Sequence, residues 1–162
     1  MVRIGESKEL GARHPIDKPP LPQSVYIPLL QHAGTPCAAL VKPGDKVTAG
    51  QKIGSAEAHV FAPVHASVSG RVAGIVNWPH PAAGRGPAVV IDSDGSDNVS
   101  RIPNPAPPDS LTPAQLRSLI FEAGITGMGG AGFPAHIKLN PPRPVDALII
   151  NGAECEQYLT AD

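Results

Sequence analysis

Two stretches decide the fold: VKPGDKVTAGQKIG at residues 41–54 and APVHASVSGRVAGI at residues 62–75. Each sets short β-prone runs around glycine-containing turns, a pattern typical of a compact all-β structure. The similarity of the two stretches also indicates an internal pseudo-repeat. Because runs of this kind continue over residues 25–102, we predict a small β-barrel or sandwich there, with strands of about four to six residues.

The two stretches resemble the barrel-sandwich hybrid of biotinyl and lipoyl carrier domains. Carriers of that family present an acceptor lysine at a hairpin tip between the two stretches. Here the connection SAEAHVF contains no lysine, and none occurs between Lys52 and Lys138. We therefore expect the fold without the swinging-arm carrier function, and we expect the barrel to fold independently of the residues that follow it.

The composition indicates a globular protein, and its net charge does not indicate a particular class of binding partner. The 162 residues are 41% hydrophobic and carry 13 basic and 14 acidic side chains, which gives a net charge of -1. This balance does not point to nucleic acid, and no apolar run is long enough for direct membrane insertion. The two cysteines, Cys37 and Cys155, are too far apart and too few for a disulfide framework, which favours a reducing, cytosolic setting.

Proline-rich segments lie on both sides of the predicted barrel. Residues 1–24 include HPIDKPPLPQ, which predicts an extended amino-terminal arm. Residues 103–110, PNPAPPDS, cannot continue a sheet and are predicted to form a linker. The chain is therefore divided into the arm, a barrel domain at 25–102, the linker, and a second domain at 111–162.

The second domain is predicted to combine helices with a strand. In LTPAQLRSLIFEAG, Thr112 and Gln115 form a capping box that predicts a helix ending at Gly124. PAHIKL is predicted to begin a second helix. VDALIING, at residues 145–152, is predicted to be a buried strand because four apolar residues run together.

Between the two helices lies a glycine-rich loop within GITGMGGAGFPAHIKL, residues 124–139, which has five glycines in its first nine residues. A loop of this kind that leads into a helix offers backbone N–H groups to an anion, and phosphate is the usual occupant. Its spacing matches neither the Rossmann turn nor the P-loop. From the residues alone, tight helix packing is the competing interpretation.

This loop, followed by LIINGAECEQYLTAD at residues 148–162, resembles the C subunit of the Rnf ion-translocating electron-transport complex. It is more distantly similar to the flavin- and NADH-binding subunit of respiratory complex I. Both families place FMN on a loop of the pattern GxGGAGFPxxxK. The resemblance implies a mixed α and β fold, in which a barrel-sandwich-hybrid domain is followed by the beginning of an α/β domain that binds FMN and NADH.

The resemblance assigns cofactor binding, and no catalytic or metal-binding role, to nine residues. Glycines would let the backbone approach FMN, Lys138 would supply positive charge, and Asn151 would hydrogen-bond the flavin. The set is Gly127, Gly129, Gly130, Gly132, Phe133, Lys138, Asn151, Glu154 and Glu156. Simpler roles stay open: Lys138 as a solvated helix residue, Phe133 as a core residue, and the two glutamates as surface acids.

The function implied by the resemblance is transfer of hydride from NADH to FMN and of single electrons onward to iron-sulfur centres. The chain would lie on the cytoplasmic side of the membrane, held there by other subunits of the complex. The two [4Fe-4S] clusters of the family lie on a cysteine-rich segment that follows the flavin domain, and two cysteines cannot bind one such cluster. We therefore expect either an amino-terminal portion or a degenerate relative, which is inactive alone and binds FMN weakly or not at all.

Two residues depart from the family pattern. Met128 stands where complex I has an arginine, and Gln157 replaces the proline that follows the Cys-Glu pair. Two alternatives also stay open. One is a non-catalytic assembly or docking module whose glycine loop is unoccupied. The other is a small-ligand barrel with His59 and His65 as metal ligands, although the remaining histidines have no clustered partner in the sequence: His14, His32, His80 and His136.

Overall fold

The computed structural model describes residues 15, 17, 19–96, 98–100, 106–128 and 130–150. The chain forms two compact units, and every helix and strand of the described residues lies in the unit from Leu21 to Pro142. The other unit joins Met1–Pro20 with Arg143–Asp162, and most of it lies outside the described residues. The domain boundaries inferred from the sequence stay predictions.

Two antiparallel sheets form the β part of the unit. Five of the seven strands of the described residues have only two to five residues. The four-stranded sheet has the order β1 (Ser24–Pro28), β7 (Gly84–Ser93), β6 (Gly70–His80), β3 (Lys46–Val47). The three-stranded sheet has the order β2 (Ala38–Ala39), β4 (Lys52–Ser55), β5 (Val64–His65).

The two stretches that decide the fold pair with each other. Strand β3 of the first lies antiparallel to β6 of the second, with Val47 opposite Gly70. Strand β4 of the first likewise pairs with β5, with Lys52 opposite His65. Each stretch therefore contributes one strand to each sheet, which accounts for the pseudo-repeat in the sequence.

Strands β6 and β7 form a long hairpin of eleven and ten residues. The prediction of strands of four to six residues is wrong here, and it is also wrong for β2, β3 and β5, which have two residues each. Pro87 is tolerated inside β7 because it lies where β1 ends. The Pro87 carbonyl accepts the N–H of Leu29 at 2.9 Å. Because proline has no N–H to donate, the Leu29 carbonyl accepts the N–H of Cys37, also at 2.9 Å.

The hydrophobic core lies between the two sheets. Its largest fully buried side chains include Ile53, Val72, Val89 and Ile91, each at most 1% exposed. Phe121, on the helix that follows the sheets, packs against this core with its ring edge-on to Phe61 and the centroids 5.2 Å apart. The helix and the β part therefore belong to one packed unit.

The first predicted helix is confirmed as α1, Pro113–Glu122, and a short 3-10 turn at Pro108–Ser110 precedes it. The capping box is present, because the Thr112 side chain accepts the Gln115 N–H while the Gln115 side chain accepts the Thr112 N–H. After the loop, the second predicted helix is the four-residue α2, Ala135–Lys138.

The predicted buried strand near residue 145 is not formed in the described residues. Val145, Leu148, Ile149 and Ile150 are 67, 81, 88 and 79% exposed, and residues 145–150 have no strand geometry. A strand needs neighbouring backbone groups to complete its hydrogen bonds, and the described part of the chain supplies no such neighbour there. The last two residues of the predicted strand, Asn151 and Gly152, lie outside the described residues.

Candidate cofactor site

The glycine loop, residues 124–134, is closed at its base by the backbone. The Gly127 N–H donates to the Phe133 carbonyl at 3.0 Å, and Thr126 forms an antiparallel bridge with Pro134. Pro134 is fully buried. These backbone contacts therefore hold both ends of the loop in place.

The glycines of the loop fall into two groups. Gly124 and Gly132 have φ angles of 66° and 63°, which disfavour any residue with a side chain. Among the described residues, a Cβ at Gly127 would meet no atom closer than 3.8 Å, and one at Gly130 would meet none within 4 Å. Packing within the unit thus requires Gly124 and Gly132 but does not explain Gly127 and Gly130, which leave backbone open to approach by a ligand.

The remaining predicted site residues are only partly brought together. Phe133 is 40% exposed and lies outside the core cluster. Lys138 is exposed at the end of α2 and forms no ion pair among the described residues. The other predicted site residues lie outside the described residues: Gly129, Asn151, Glu154 and Glu156. All nine cofactor-binding assignments stay predictions.

A cleft of about 720 Å³ lies between the glycine loop and the barrel. Residues 130–132 line one side, and the barrel side comes from residues 26–28 and 30–33 and from the β6–β7 turn at residues 80–82. The volume falls within the usual range of small-molecule sites, roughly 300 to 1,000 Å³. No local pattern in the sequence predicts this cleft, because its walls come from distant parts of the chain.

Within the described part of the chain, no Lys, Arg, Asp or Glu side chain lines the cleft. His80 has both ring nitrogens engaged within the protein: Nδ1 accepts the N–H groups of Ala82 and Ala83, so Nε2 carries the proton and donates to the Leu30 carbonyl at 2.7 Å. The imidazole is therefore fixed in place and offers the cleft its ring surface rather than a free polar atom.

Two further histidines in the cleft are held neutral. Burial lowers the pKa of His32 below the usual 6.5, although the bond between its Nε2 and the Thr35 carbonyl opposes the shift. Burial likewise lowers the pKa of His65, and nearby Lys52 adds to the effect while Glu122 opposes it. At neutral pH the imidazoles of His32 and His65 are therefore uncharged.

The structure gives no support to a metal site on His59 and His65. Among the described residues, no three His, Cys, Asp or Glu side chains are grouped closely enough to hold a metal ion. The imidazole of His65 instead lies against Gly124, where an added Cβ would be 3.0 Å from the ring. In the same part of the chain, no helix combines the length and apolar character needed to cross a membrane.

Comparison with known families decides the relationship. The RnfC barrel sandwich hybrid domain matches residues 2–96, which is more than half of the 162 residues. The chain belongs to the RnfC family, the C subunits of Rnf complexes. The predicted resemblance and the barrel-sandwich-hybrid fold are thereby confirmed. A second family, the Nuo51 FMN-binding domain, matches residues 120–162 and so includes the glycine loop.

Relatives from three organisms are named as C subunits of such complexes. The chain is 47% identical to the C subunit of the proton-translocating ferredoxin:NAD(+) oxidoreductase complex of Clostridium ljungdahlii, over 99% of the chain and 36% of that protein. It is 42% identical to the Na(+)-translocating counterpart of Acetobacterium woodii, over 96% of the chain and 36% of that protein. It is 40% identical to the C subunit of the ion-translocating oxidoreductase complex of Pseudomonas aeruginosa, over 96% of the chain and 21% of that protein. The chain thus spans about a third or less of these relatives.

Proposed function

We propose that this chain is the amino-terminal part of an RnfC protein that binds FMN at the glycine loop and transfers electrons between a nicotinamide nucleotide and FMN. The observation that carries the proposal is the open backbone at Gly127 and Gly130, on an anchored loop within the segment that matches an FMN-binding domain. Two relatives are named as parts of ferredoxin:NAD(+) oxidoreductase complexes, which fits this chemistry.

The loop supplies the binding surface for the phosphate of FMN. Gly130 lets the phosphate approach the backbone, because no side chain and no neighbouring atom of the described residues occupies that space. The N–H of Gly127 already donates to the Phe133 carbonyl at the base of the loop. Its role is therefore to leave space for the ligand, since it has no side chain. Lys138, with its exposed ammonium group, balances the phosphate charge. Bound FMN accepts a hydride and releases single electrons.

Residues beyond the described part complete the proposal. Asn151 would hydrogen-bond the flavin, and Glu154 and Glu156 would lie near the flavin and the nicotinamide, as the family resemblance implies. In the remainder of a full-length protein, two [4Fe-4S] clusters would supply the acceptors for single electrons. Other subunits of the membrane-bound complex hold the protein at the cytoplasmic face of the membrane, consistent with the complex named for each relative.

The proposal is tested by titrating the 162-residue chain with FMN and with riboflavin, which lacks the phosphate. We expect FMN dissociation constants of roughly micromolar to millimolar, because one lysine and a few N–H groups at an exposed site offset only part of the cost of immobilising a ligand. Riboflavin should bind more weakly. Gly130→Val, through blocked approach, and Lys138→Ala, through lost charge, should both weaken FMN binding.

Gly86→Val is the matched control, since a Cβ at Gly86 also meets no described atom within 4 Å but lies in strand β7. It should bind FMN as the unmodified chain does. Equal affinity for FMN and riboflavin, or unchanged FMN binding by Gly130→Val, would rule out the glycine loop as a phosphate site. The non-catalytic docking module would then be the better interpretation of this chain.

A further inference from the structure

We propose that a second cavity, between α1, α2 and the barrel, binds a phosphate group, either as the free ion or as part of a small phosphorylated molecule. The cavity has a volume of about 460 Å³. Its lining residues do not include any residue that lines the cleft at the glycine loop. The phosphate site is therefore separate from the proposed FMN site and does not depend on it.

The barrel and one face of α1 form two walls of this cavity. The barrel contributes His59, which lies in the connection SAEAHVF. The α1 wall consists of Ala114, Arg117, Ser118 and Phe121. These four residues are three or four positions apart, so they lie next to one another on a single face of the helix.

The third wall comes from α2 and the residue that follows its end. His136 and Ile137 of α2 line the cavity, and so does Asn140. The imidazole of His136 lies edge-on to the Phe121 ring, with the ring centroids 4.7 Å apart. This contact joins the α2 wall to the α1 wall, so the walls meet without a ligand and the site is preformed.

Two of the lining groups have unsatisfied polar atoms. Arg117 is half-buried and forms no ion pair among the described residues. The Nδ1 atom of His136 is buried and has no hydrogen-bond partner in the same part of the chain. A polar group that is removed from water without a partner is costly, and a bound ligand would supply the missing partner.

The charge of the lining favours an anion. Among the described residues, no Asp or Glu side chain lines the cavity. Burial lowers the pKa of His136, and His59 lowers it further, so the two imidazoles lie close enough to repel each other when protonated. A metal cation would face the guanidinium of Arg117, whereas an anion would relieve the repulsion among the three groups.

The hydrogen-bond donors of the lining suit a phosphate. The planar guanidinium of Arg117 binds two oxygens of one phosphate side by side. The hydroxyl of Ser118 and the amide of Asn140 are further donors. Phe121 and Ile137 add apolar walls. The volume also lies within the range of small-molecule sites, roughly 300 to 1,000 Å³, so an organic group attached to the phosphate has room to bind.

The proposal is tested by titrating the 162-residue chain with inorganic phosphate and with phenyl phosphate. Binding is followed by the imidazole NMR signals of His59 and His136, which both probes should shift. Arg117→Gln should weaken binding of both probes by about tenfold or more, because it removes the charge-assisted hydrogen bonds of the guanidinium. Tighter binding of phenyl phosphate would identify a phosphorylated molecule as the ligand, and equal or weaker binding would identify the free ion.

Three further variants make the test specific. Lys42→Gln removes the same charge from an exposed barrel position outside the cavity and should leave binding unchanged. Arg117→Lys keeps the charge but not the planar group, so its affinity should be intermediate. Ala114→Trp, at an exposed position in the first turn of α1, should block the cavity without removing a charge. The thermal unfolding midpoint shows whether each variant is folded, and Ala114→Trp decides the test if Arg117→Gln is not.

Sulfate tests the part played by His136, because this doubly charged tetrahedral anion does not titrate near neutral pH. A bound anion favours the protonated imidazole, so affinity for sulfate should rise as the pH falls from about 7 to about 5. The other titratable groups of the lining are His59 and Arg117, and Arg117 stays charged throughout this range. His136→Gln should make the affinity depend less on pH.

Three results would overturn the proposal. The first is that neither phosphate probe shifts the two imidazole signals. The second is that folded Arg117→Gln and Ala114→Trp variants both bind as the unmodified chain does. The third is that Gly130→Val abolishes phosphate binding while Arg117→Gln does not, which would assign the anion to the glycine loop. In that case this inference fails while the proposed FMN site stands.

Discussion

Gly124 and Gly84 have nearly the same backbone conformation, with φ angles of 66° and 70°, but very different surroundings. A Cβ at Gly124 would lie 2.4 Å from the Pro63 carbonyl oxygen and 3.0 Å from the His65 ring. A Cβ at Gly84, in the β6–β7 hairpin, would meet no described atom within 4 Å. The pair therefore separates the cost of the backbone conformation from the cost of steric overlap.

We expect Gly84→Ala to lower the free energy of unfolding by about 1 to 2 kcal/mol, the cost of a left-handed alanine. Gly124→Ala should lower it by about 3 kcal/mol or more, because overlap with the Pro63 carbonyl adds to the same backbone cost. Urea denaturation of the two variants measures the difference. Equal losses would show that the junction between α1 and the barrel relaxes to admit a side chain.

At the scale of elements, α1 begins with a complete capping box. The Thr112 hydroxyl accepts the Gln115 N–H at 3.3 Å, and the Gln115 side-chain oxygen accepts the Thr112 N–H at 2.9 Å. Thr112→Ala should lower the free energy of unfolding by about 0.5 to 2 kcal/mol, because one N–H of the first turn loses its acceptor. Thr112→Ser keeps the hydroxyl and is the control.

The same denaturation experiment decides this prediction. A Thr112→Ser variant as unstable as Thr112→Ala would assign the loss to the methyl group rather than to the cap. The result also bears on function, because α1 leads into the glycine loop. If the helix behaves as one rigid element, fraying of its first turn would also loosen the Phe121 contact at its other end.

Elements with local signals can be predicted from the sequence. The α1 helix is an example, since Thr112, Pro113 and Gln115 determine its start within a few residues. The length of the β6–β7 hairpin cannot be predicted in this way. Pro79 and Pro87 usually indicate the end of a strand, and only knowledge of the neighbouring strand shows that they are tolerated here. The strand predicted from residue 145 is wrong in its described part, because an apolar run forms a strand only where partner strands exist.

The candidate site shows the same division. The glycine loop and the nine proposed cofactor-binding residues can be named from the sequence, because a family motif is a local pattern. The barrel side of the cleft cannot, because no local pattern predicts that the Ala33 N–H meets the Gly132 carbonyl. Nor does the sequence distinguish the glycines that packing requires, such as Gly124, from those with open space, such as Gly130.

At the scale of the whole molecule, histidines that are buried or partly buried in the folded chain link its stability to pH. Burial lowers the pKa of His32, His65 and His136 below the usual 6.5. Lys52 also lowers the pKa of His65, and His59 also lowers that of His136. As the pH falls below about 6.5, the unfolded chain binds protons that the folded chain does not, so the folded state loses stability.

We therefore expect the urea midpoint to be highest near neutral pH and to fall steadily between about pH 6.5 and pH 5. His136→Gln should reduce this pH dependence, because it removes one of the three groups whose proton uptake accompanies unfolding. His136 is informative because its Nδ1 is buried without a hydrogen-bond partner among the described residues. A midpoint that stays constant or rises over this range would contradict the prediction.

The contact of Phe121 with Phe61 has a consequence for recombination between relatives. A crossover in the proline-rich segment at residues 103–110 looks harmless by sequence, since its prolines predict neither a strand nor a long helix. It would nevertheless pack a barrel from one parent against a helix from the other. The Phe61–Phe121 contact and the Lys52–Glu122 ion pair would then form between residues from different parents. Chimaeras that exchange residues 21–142 as a block inherit matched surfaces, so viable breakpoints are expected to cluster outside that block.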